Sequence, residues 1–424
     1  MHKYVVIPLL LFCLFIPTSV LAEEPSQKEI QDLELKVQVL LKEVLKLQEL
    51  LGTLQGPVNT EPLSDEELRT IIGNGVEWFK NAEEKNGHFG YEYVPYEDRY
   101  LNDDHIVRQA GALYSLGEIA RRDEPGRLSL REPLERSIEF FEGLSVPGSA
   151  NERTFRCVGN SSVNEYCQLG ATALALVGIL DTVKRYPETI PQYQTLIEDY
   201  TNYLLAMKKE GGGFRAGYSE GGALDDAESA YSNGEALLAL VRVYQYAPSE
   251  EVKRTIDDAF GYLSSEEVPF DFPLYLWIMA ALKDMHALWG KDMYVEYAKA
   301  YTDWRVGGMR YRKNSTYNYC AYTEGLVSAY PIFEETLTGQ EKADLQNEIN
   351  LWLRKNSTLQ IGEDDLVRVI RDENGVRFGE IKNREQAFGG FLTGSEVLTE
   401  RIDFTQHCLG SYLQKLVDID GKEL

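Results

Sequence analysis

IPQYQTLIEDYTNYLLAMKKEGGGFRAGYSEGGALDDAESAYSNGEALLALVRVYQY, residues 190–246, decides the fold. Its first part, 190–209, has apolar residues at helical spacing with polar and charged residues between them, as a helix with one face in water does. Its last part, 227–246, carries Gly234, Ala236, Leu237 and Leu238 and is small or apolar on every side, the mark of a helix buried all round. Between them lie Gly212-Gly213-Phe214, which reads as a tight turn or short strand, and the polar residues Asp225, Asp226, Glu228 and Tyr231.

The same alternation runs outward in both directions. Amphipathic segments occur at 65–84, 129–144, 190–209, 249–264, 291–305 and 340–355, for example with Leu134, Ile138, Phe141 and Leu144 on one stripe. Segments buried on both sides occur at 103–121, 164–182, 227–246, 272–289, 317–335 and 402–418. Glycine inside a helix costs up to about 1 kcal/mol relative to alanine, so Gly111, Gly170 and Gly234 make sense where helix backbones approach closely. Six of each kind in strict alternation form a repeat array. No polar capping repeat, which an open solenoid needs, is present at either end. The expectation is an all-α (α/α)6 barrel, six inner helices ringed by six outer ones, over residues 64–424. Ser64 and Glu67 form a capping box at its first helix. Pro273, near the start of the fourth inner helix, is tolerated in a first turn.

The chain before the barrel has two further parts. Residues 1–22 combine Lys3, an apolar run and small residues at Val20 and Ala22, which together describe an export signal. Residues 23–56 carry a heptad, with Ile30, Val37, Val44 and Leu51 at one core position and Leu33, Leu40, Leu47 and Leu54 at the other. β-Branched residues at the first and leucine at the second favour a parallel coiled coil, so the chain is expected to self-associate through this stalk. Deleting 23–56 should lower the mass seen by light scattering, and an unchanged mass would refute the stalk. Residues 57–63 are a linker.

The formal net charge is −25. Such a surface repels phosphate backbones and anionic headgroups, so nucleic acid is not an expected partner, although a local basic pocket can still take an anion. No stretch after the export signal is apolar enough to cross a bilayer, so no membrane span is expected. Cys157, Cys167, Cys320 and Cys408 allow two disulfides, or four buried thiols. In the first case Cys157 and Cys167 clip one loop, and Cys320 and Cys408 join neighbouring inner helices. No C-x-x-C or His/Cys cluster points to zinc, and no metal or cofactor is expected. Three sequons begin at Asn160, Asn314 and Asn356.

Further Gly-aromatic or Gly-apolar segments precede inner helices at Gly87-His88-Phe89-Gly90-Tyr91, Gly307-Gly308-Met309-Arg310-Tyr311 and Gly389-Gly390-Phe391. Polar residues therefore collect at the inner-helix N-termini, on one face of the barrel. There the sequence places Asp103, Asp104, His105 and Arg108; Asn164, Glu165, Tyr166 and Gln168; Glu220, Asp225, Asp226, Glu228 and Tyr231. It also places Asp271, Tyr275 and Trp277; Tyr317, Asn318, Tyr319 and Glu324; and Arg401, Asp403, Gln406 and His407. Taken singly, Asp103, Asp225 and Asn318 read as helix caps. Arg108 and His407 lie a turn into buried helices and need partners. Converging carboxylates and aromatics, in a chain with 26 tyrosines, suit sugars, which offer apolar faces and many hydroxyls.

The pattern over about 64–418 resembles the six-hairpin glycosidase-like superfamily, by architecture and by the Gly-aromatic loops. Gly212-Gly213-Phe214 through Asp226 to Leu240 is also similar to terpene cyclase and prenyltransferase repeats, but no D-x-D-D signature or zinc-ligand set accompanies it. The resemblance implies a carbohydrate-active enzyme. In a glycoside hydrolase the catalytic carboxylates are expected among Asp104, Asp226, Glu228 and Asp403, with Asp226 or Glu228 facing Asp403. The expected substrate contacts are His105, Arg108, Gln168, Tyr231, Trp277, Tyr319, Glu324, Gln406 and His407. A polysaccharide lyase or uronate epimerase would instead use His105, Tyr231 or His407 as base and Arg108 as clamp. A third reading is a non-catalytic, multimeric glycan- or envelope-binding module.

Overall fold

The computed structural model describes Lys36 and residues 60–424, apart from 125, 160–165, 220, 221, 223, 314, 373 and 374. The signal segment, the heptad stalk, two sequon asparagines (Asn160 and Asn314), Asn164, Glu165 and Glu220 lie outside the described residues.

Twelve long helices follow one another among the described residues. The outer ones are α1 (Asp65–Ala82), α3 (Arg131–Gly143), α5 (Ile190–Met207), α7 (Glu250–Leu263), α9 (Asp292–Met309) and α11 (Gly339–Ser357). The inner ones are α2 (Ile106–Arg122), α4 (Leu169–Arg185), α6 (Ala230–Tyr246), α8 (Phe272–Trp289), α10 (Cys320–Phe333) and α12 (Ile402–Gln414). The Ser64–Glu67 capping box is formed in both directions, at 2.7 and 3.2 Å.

Closure is explicit in the packing. Helix α2 packs on α4, α4 on α6, α6 on α8, α8 on α10, α10 on α12, and α12 returns to α2. Outer helices lie over the seams; α3, for instance, touches both α2 and α4. Burial follows the two sequence types. Helix α4 is buried from Leu169 to Val183, while α7 buries Val252, Ile256, Ala259 and Phe260 and exposes Asp257 and Asp258. Where α2 meets α4, a Cβ added at Gly117 would stand 2.9 Å from the Gly178 carbonyl oxygen. Two glycines thus permit backbone contact that no side chain would allow.

The Gly-aromatic loops form one recurring lock. Phe89, Phe214 and Phe391 each make a single β-bridge to the end of the preceding outer helix or the residues just after it, through Glu83, Lys208 and Gln360. Two residues before each phenylalanine, a glycine holds positive φ: Gly87 (83°), Gly212 (104°) and Gly389 (89°). The backbone N–H of each phenylalanine then donates to the fourth residue of the next inner helix, Gln109 at 3.0 Å, Asn233 at 2.8 Å and Thr405 at 3.1 Å. Thr172 of α4 accepts from Val158 in the same way, at 3.0 Å. The segment at Gly307 departs from the expected turn. Helix α9 continues through both glycines to Met309, followed by a 3₁₀ turn at Arg310–Arg312.

Four small antiparallel sheets decorate the helices. One runs β10 (Leu392–Gly394), β11 (Val397–Arg401), β1 (Glu92–Val94), β2 (Arg99–Tyr100), and joins the first hairpin of the barrel to the last. Its register pairs Glu92 with Arg401, which delivers Arg401 to the start of α12. Hairpins β3–β4 (Ser145–Ala150, Arg153–Val158) and β8–β9 (Val367–Asp372, Gly375–Glu380) and the three-stranded sheet β5–β6–β7 (Cys167–Gln168, Gly217–Tyr218, Leu224–Asp225) complete the set. Both disulfides are present, Cys157–Cys167 and Cys320–Cys408. The second ties α10 to α12.

At the C-terminal ends of the inner helices the barrel is closed by ion pairs. Arg242 pairs with Asp181 at 2.9 Å and Asp284 at 2.6 Å, and Arg121 reaches Asp181 at 2.8 Å. Arg122 bridges Glu118 and Asp418, and Lys283 joins Asp418 at 2.8 Å.

Candidate functional site

At the opposite end, the N-termini of all six inner helices border one cavity of about 630 Å³. Its wall takes His105 and Arg108 from the α2 end, Gln168 and Leu174 from α4, and Tyr231 and Glu235 from α6. Phe272 and Trp277 come from α8, Ala321 and Tyr322 from α10, and Asp403, Gln406 and His407 from α12. The sequence placed a polar face at these N-termini, and eight of its thirteen candidates line this cavity: His105, Arg108, Gln168, Tyr231, Trp277, Asp403, Gln406 and His407. A ninth, Glu324, is bonded to His407 from behind the wall.

The other four do not meet there. Asp226 is largely exposed and held by Arg215 at 2.7 Å. Glu228 accepts from Lys209 at 2.6 Å and Tyr262 at 2.9 Å; burial raises its pKa, but these partners outweigh that and hold it below the usual carboxylate range. The expected pairing of Asp226 or Glu228 with Asp403 across the cavity is therefore corrected: basic partners outside the wall, on the loop after α5, draw both carboxylates away. Asp104 is likewise absent from the wall. It binds His88 at 3.1 Å, Gln109 at 2.9 Å and the His105 N–H at 2.8 Å, a local network at the helix start. Tyr319 turns toward Trp352, with ring centroids 5.0 Å apart, and bonds Ser315.

Within the cavity, Asp403 is neutralised by two guanidinium groups. Arg401 donates to both its oxygens, at 2.6 and 3.0 Å, and Arg108 stands at 3.1 Å. His407 is better placed for proton transfer. Its Nδ1 lies 2.8 Å from Glu324 Oε2, and Glu324 is 1% exposed. Burial raises the Glu324 pKa against the opposing pull of His407. With Nδ1–H donated to Glu324, the basic nitrogen of the ring is Nε2. The Trp277 ring packs edge-on against His407, with centroids 5.8 Å apart, and fixes its plane.

Two charged wall residues had not been singled out from the sequence. Glu235 is 3% exposed, and its Oε2 has no hydrogen-bond partner. Burial alone pushes its pKa up to about 8, so the carboxyl is neutral at pH 7 and can donate a proton. It rests against Gly170, where an added Cβ would stand 2.1 Å from Oε2. The available signal was a lone acid in the apolar run of α6. Arg305, the second, comes from an outer helix that was expected to end at that residue; the helix in fact continues to Met309 and buries Arg305.

No protein-family model matches the chain, and no curated protein matches it by sequence. Solved structures do. A GH76 alpha-mannanase from Bacteroides thetaiotaomicron superposes with TM-score 0.55 at 8% identity, over 84% of this chain and 96% of that one. A sugar epimerase from a ruminal bacterium gives TM-score 0.54 at 10% identity, over 83% and 99%. An unsaturated glucuronyl hydrolase specific for heparin gives 0.57 at 10%, over 85% and 100%. At such identities the likeness is one of fold: the chain shares the (α/α)6 toroid architecture of these structures.

Proposed function

We propose that this protein is a carbohydrate-active enzyme that cleaves a glycosidic bond in an oligo- or polysaccharide at the barrel mouth. The observation that carries the reading is a matched pair of proton-transfer groups in one aromatic-lined cavity. Glu235 is held neutral by burial, and His407 is oriented by Glu324. His407 Nε2 takes a proton from water, the resulting hydroxide attacks the anomeric carbon, and the C–O bond breaks. Glu235 gives its proton to the departing oxygen. One water is consumed, and both side chains recover their starting states by exchange with solvent. Trp277, Tyr231 and Phe272 offer faces to the sugar ring.

A second reading, elimination or epimerisation beside a carboxylate, is favoured by the same His407–Glu324 dyad, since a base of this kind also abstracts a carbon-bound proton. It requires an acidic sugar. Export through residues 1–22 belongs to the proposal as well. The two disulfides support it, because such bonds persist in oxidising compartments. No described helix is long and apolar enough to cross a membrane.

The test is a panel of neutral and acidic glycans offered to protein secreted by its own signal segment. New reducing ends support hydrolysis, and an ultraviolet-absorbing unsaturated product supports elimination. Asp226→Asn and Glu228→Gln should keep most activity. Binding without any turnover across the panel would replace the enzyme with a glycan-binding module, and retention of the uncleaved chain inside the cell would refute export.

A further inference from the structure

Arg305 is a buried cation that the protein itself leaves without a counter-ion. It is 9% exposed, lines the cavity, and its Nε has no hydrogen-bond partner. Its guanidinium carbon lies 4.3 Å from the Phe272 ring centroid and 4.6 Å from that of Tyr322. Apart from burial, which lowers its pKa, the groups acting on it are the four tyrosines 322, 275, 301 and 319. Among the described residues no carboxylate pairs with it. The other two arginines of the wall are engaged, both with Asp403.

Burying a charge without a partner is costly. The chain holds 68 acidic residues against 43 basic ones, so an internal partner would have been easy to supply. Arg305 lines the cavity, the space a ligand would fill. A planar guanidinium offers a fork of N–H donors that matches a carboxylate in one plane, and the Phe272 ring beside it offers a face for the sugar carrying that carboxylate. Glu235, being neutral, leaves an entering anion unopposed. The strongly negative surface elsewhere repels densely charged polymers, which restricts the fit to one or a few acidic units at the mouth.

We propose that Arg305 binds the carboxylate of a uronic-acid residue, so that the substrate is an acidic glycan. This rests on the carbohydrate reading above and narrows its substrate class.

The test uses the whole secreted protein and calorimetric titration with a galacturonic acid trisaccharide and with its methyl ester. The ester has nearly the same shape without the charge. The free acid should bind about tenfold or more tightly than the ester, and the advantage should shrink with added salt. In Arg305→Gln the acid-to-ester ratio should collapse to about one, and Arg305→Lys, which keeps the charge without the fork, should fall between. Equal affinity of the native protein for acid and ester would overturn the proposal without needing any variant. A ratio that survives Arg305→Gln would overturn it too, as would tighter binding of a sulfated oligosaccharide lacking carboxylates. Turnover of neutral glycans as fast as acidic ones leaves the carbohydrate reading standing and removes this one. Failure to bind any glycan removes both.

Discussion

Glu235→Gln should lower kcat by about 10²–10⁴-fold, the range for loss of a general acid, with the fold intact by circular dichroism. Native kcat/KM should decline as pH rises through about 8, where Glu235 loses its proton. The residual activity of the glutamine variant should lack that alkaline limb. Stability must move with the same proton. The folded pKa is raised from 4.5 to about 8, so the folded chain keeps a proton that the unfolded chain has lost across that window. The associated stability is full below about 4.5 and is lost as pH rises through about 8. At pH 9 the variant should therefore melt above the native protein. Unchanged turnover, or an alkaline limb that persists in the variant, would remove Glu235 from the mechanism.

Arg242→Ala should destabilise the barrel by about 3–5 kcal/mol, the usual cost of breaking a buried ion pair from one side. Arg242 is 5% exposed and holds Asp181 on α4 and Asp284 on α8 from its place on α6. Its loss takes from the half-buried Asp284 its paired cation and leaves Asp181 to Arg121. The pH dependence has the opposite sign to that of Glu235. Burial raises Glu118 and Asp418, but Arg122 and Lys283 overcome it and hold both below the usual carboxylate range. Their contribution is present above the unfolded carboxylate pKa and is lost as pH falls through the lower folded values. Urea unfolding at pH 7 and an acid titration of native and variant protein measure both effects. A loss under about 1 kcal/mol would show that the pairs do little more than exposed ones do.

The helices were legible because their signals are periodic. Charged stripes marked α1, α3 and α7, and glycine among apolar residues marked α2, α4 and α6. The Gly-x-Phe loops were legible as turns, and the positive φ at Gly87, Gly212 and Gly389 is the physical reason they recur. The sheet that carries Arg401 was not, because its strands are two to five residues long and pair across the whole chain. The site was half legible. Sequence can say that His407 lies one turn into a buried helix, and so find it. It cannot say that Lys209 and Arg215 draw Glu228 and Asp226 out of the cavity, since that depends on the trajectory of a loop. Arg305 was hidden for a related reason. It belongs to an outer helix of amphipathic type, a place where an arginine ordinarily points to water.

The ion pairs that close the lower end also bear on traffic. With ion pairs across that end and Tyr114 and Trp277 buried above it, the cavity among the described residues lies at the mouth, where a substrate of the proposed enzyme would enter and leave. Whatever enters must leave by the same route, so spent product and fresh substrate compete for one passage. Product inhibition should therefore be competitive, and escape through the mouth becomes a step that can set the pace of the cycle.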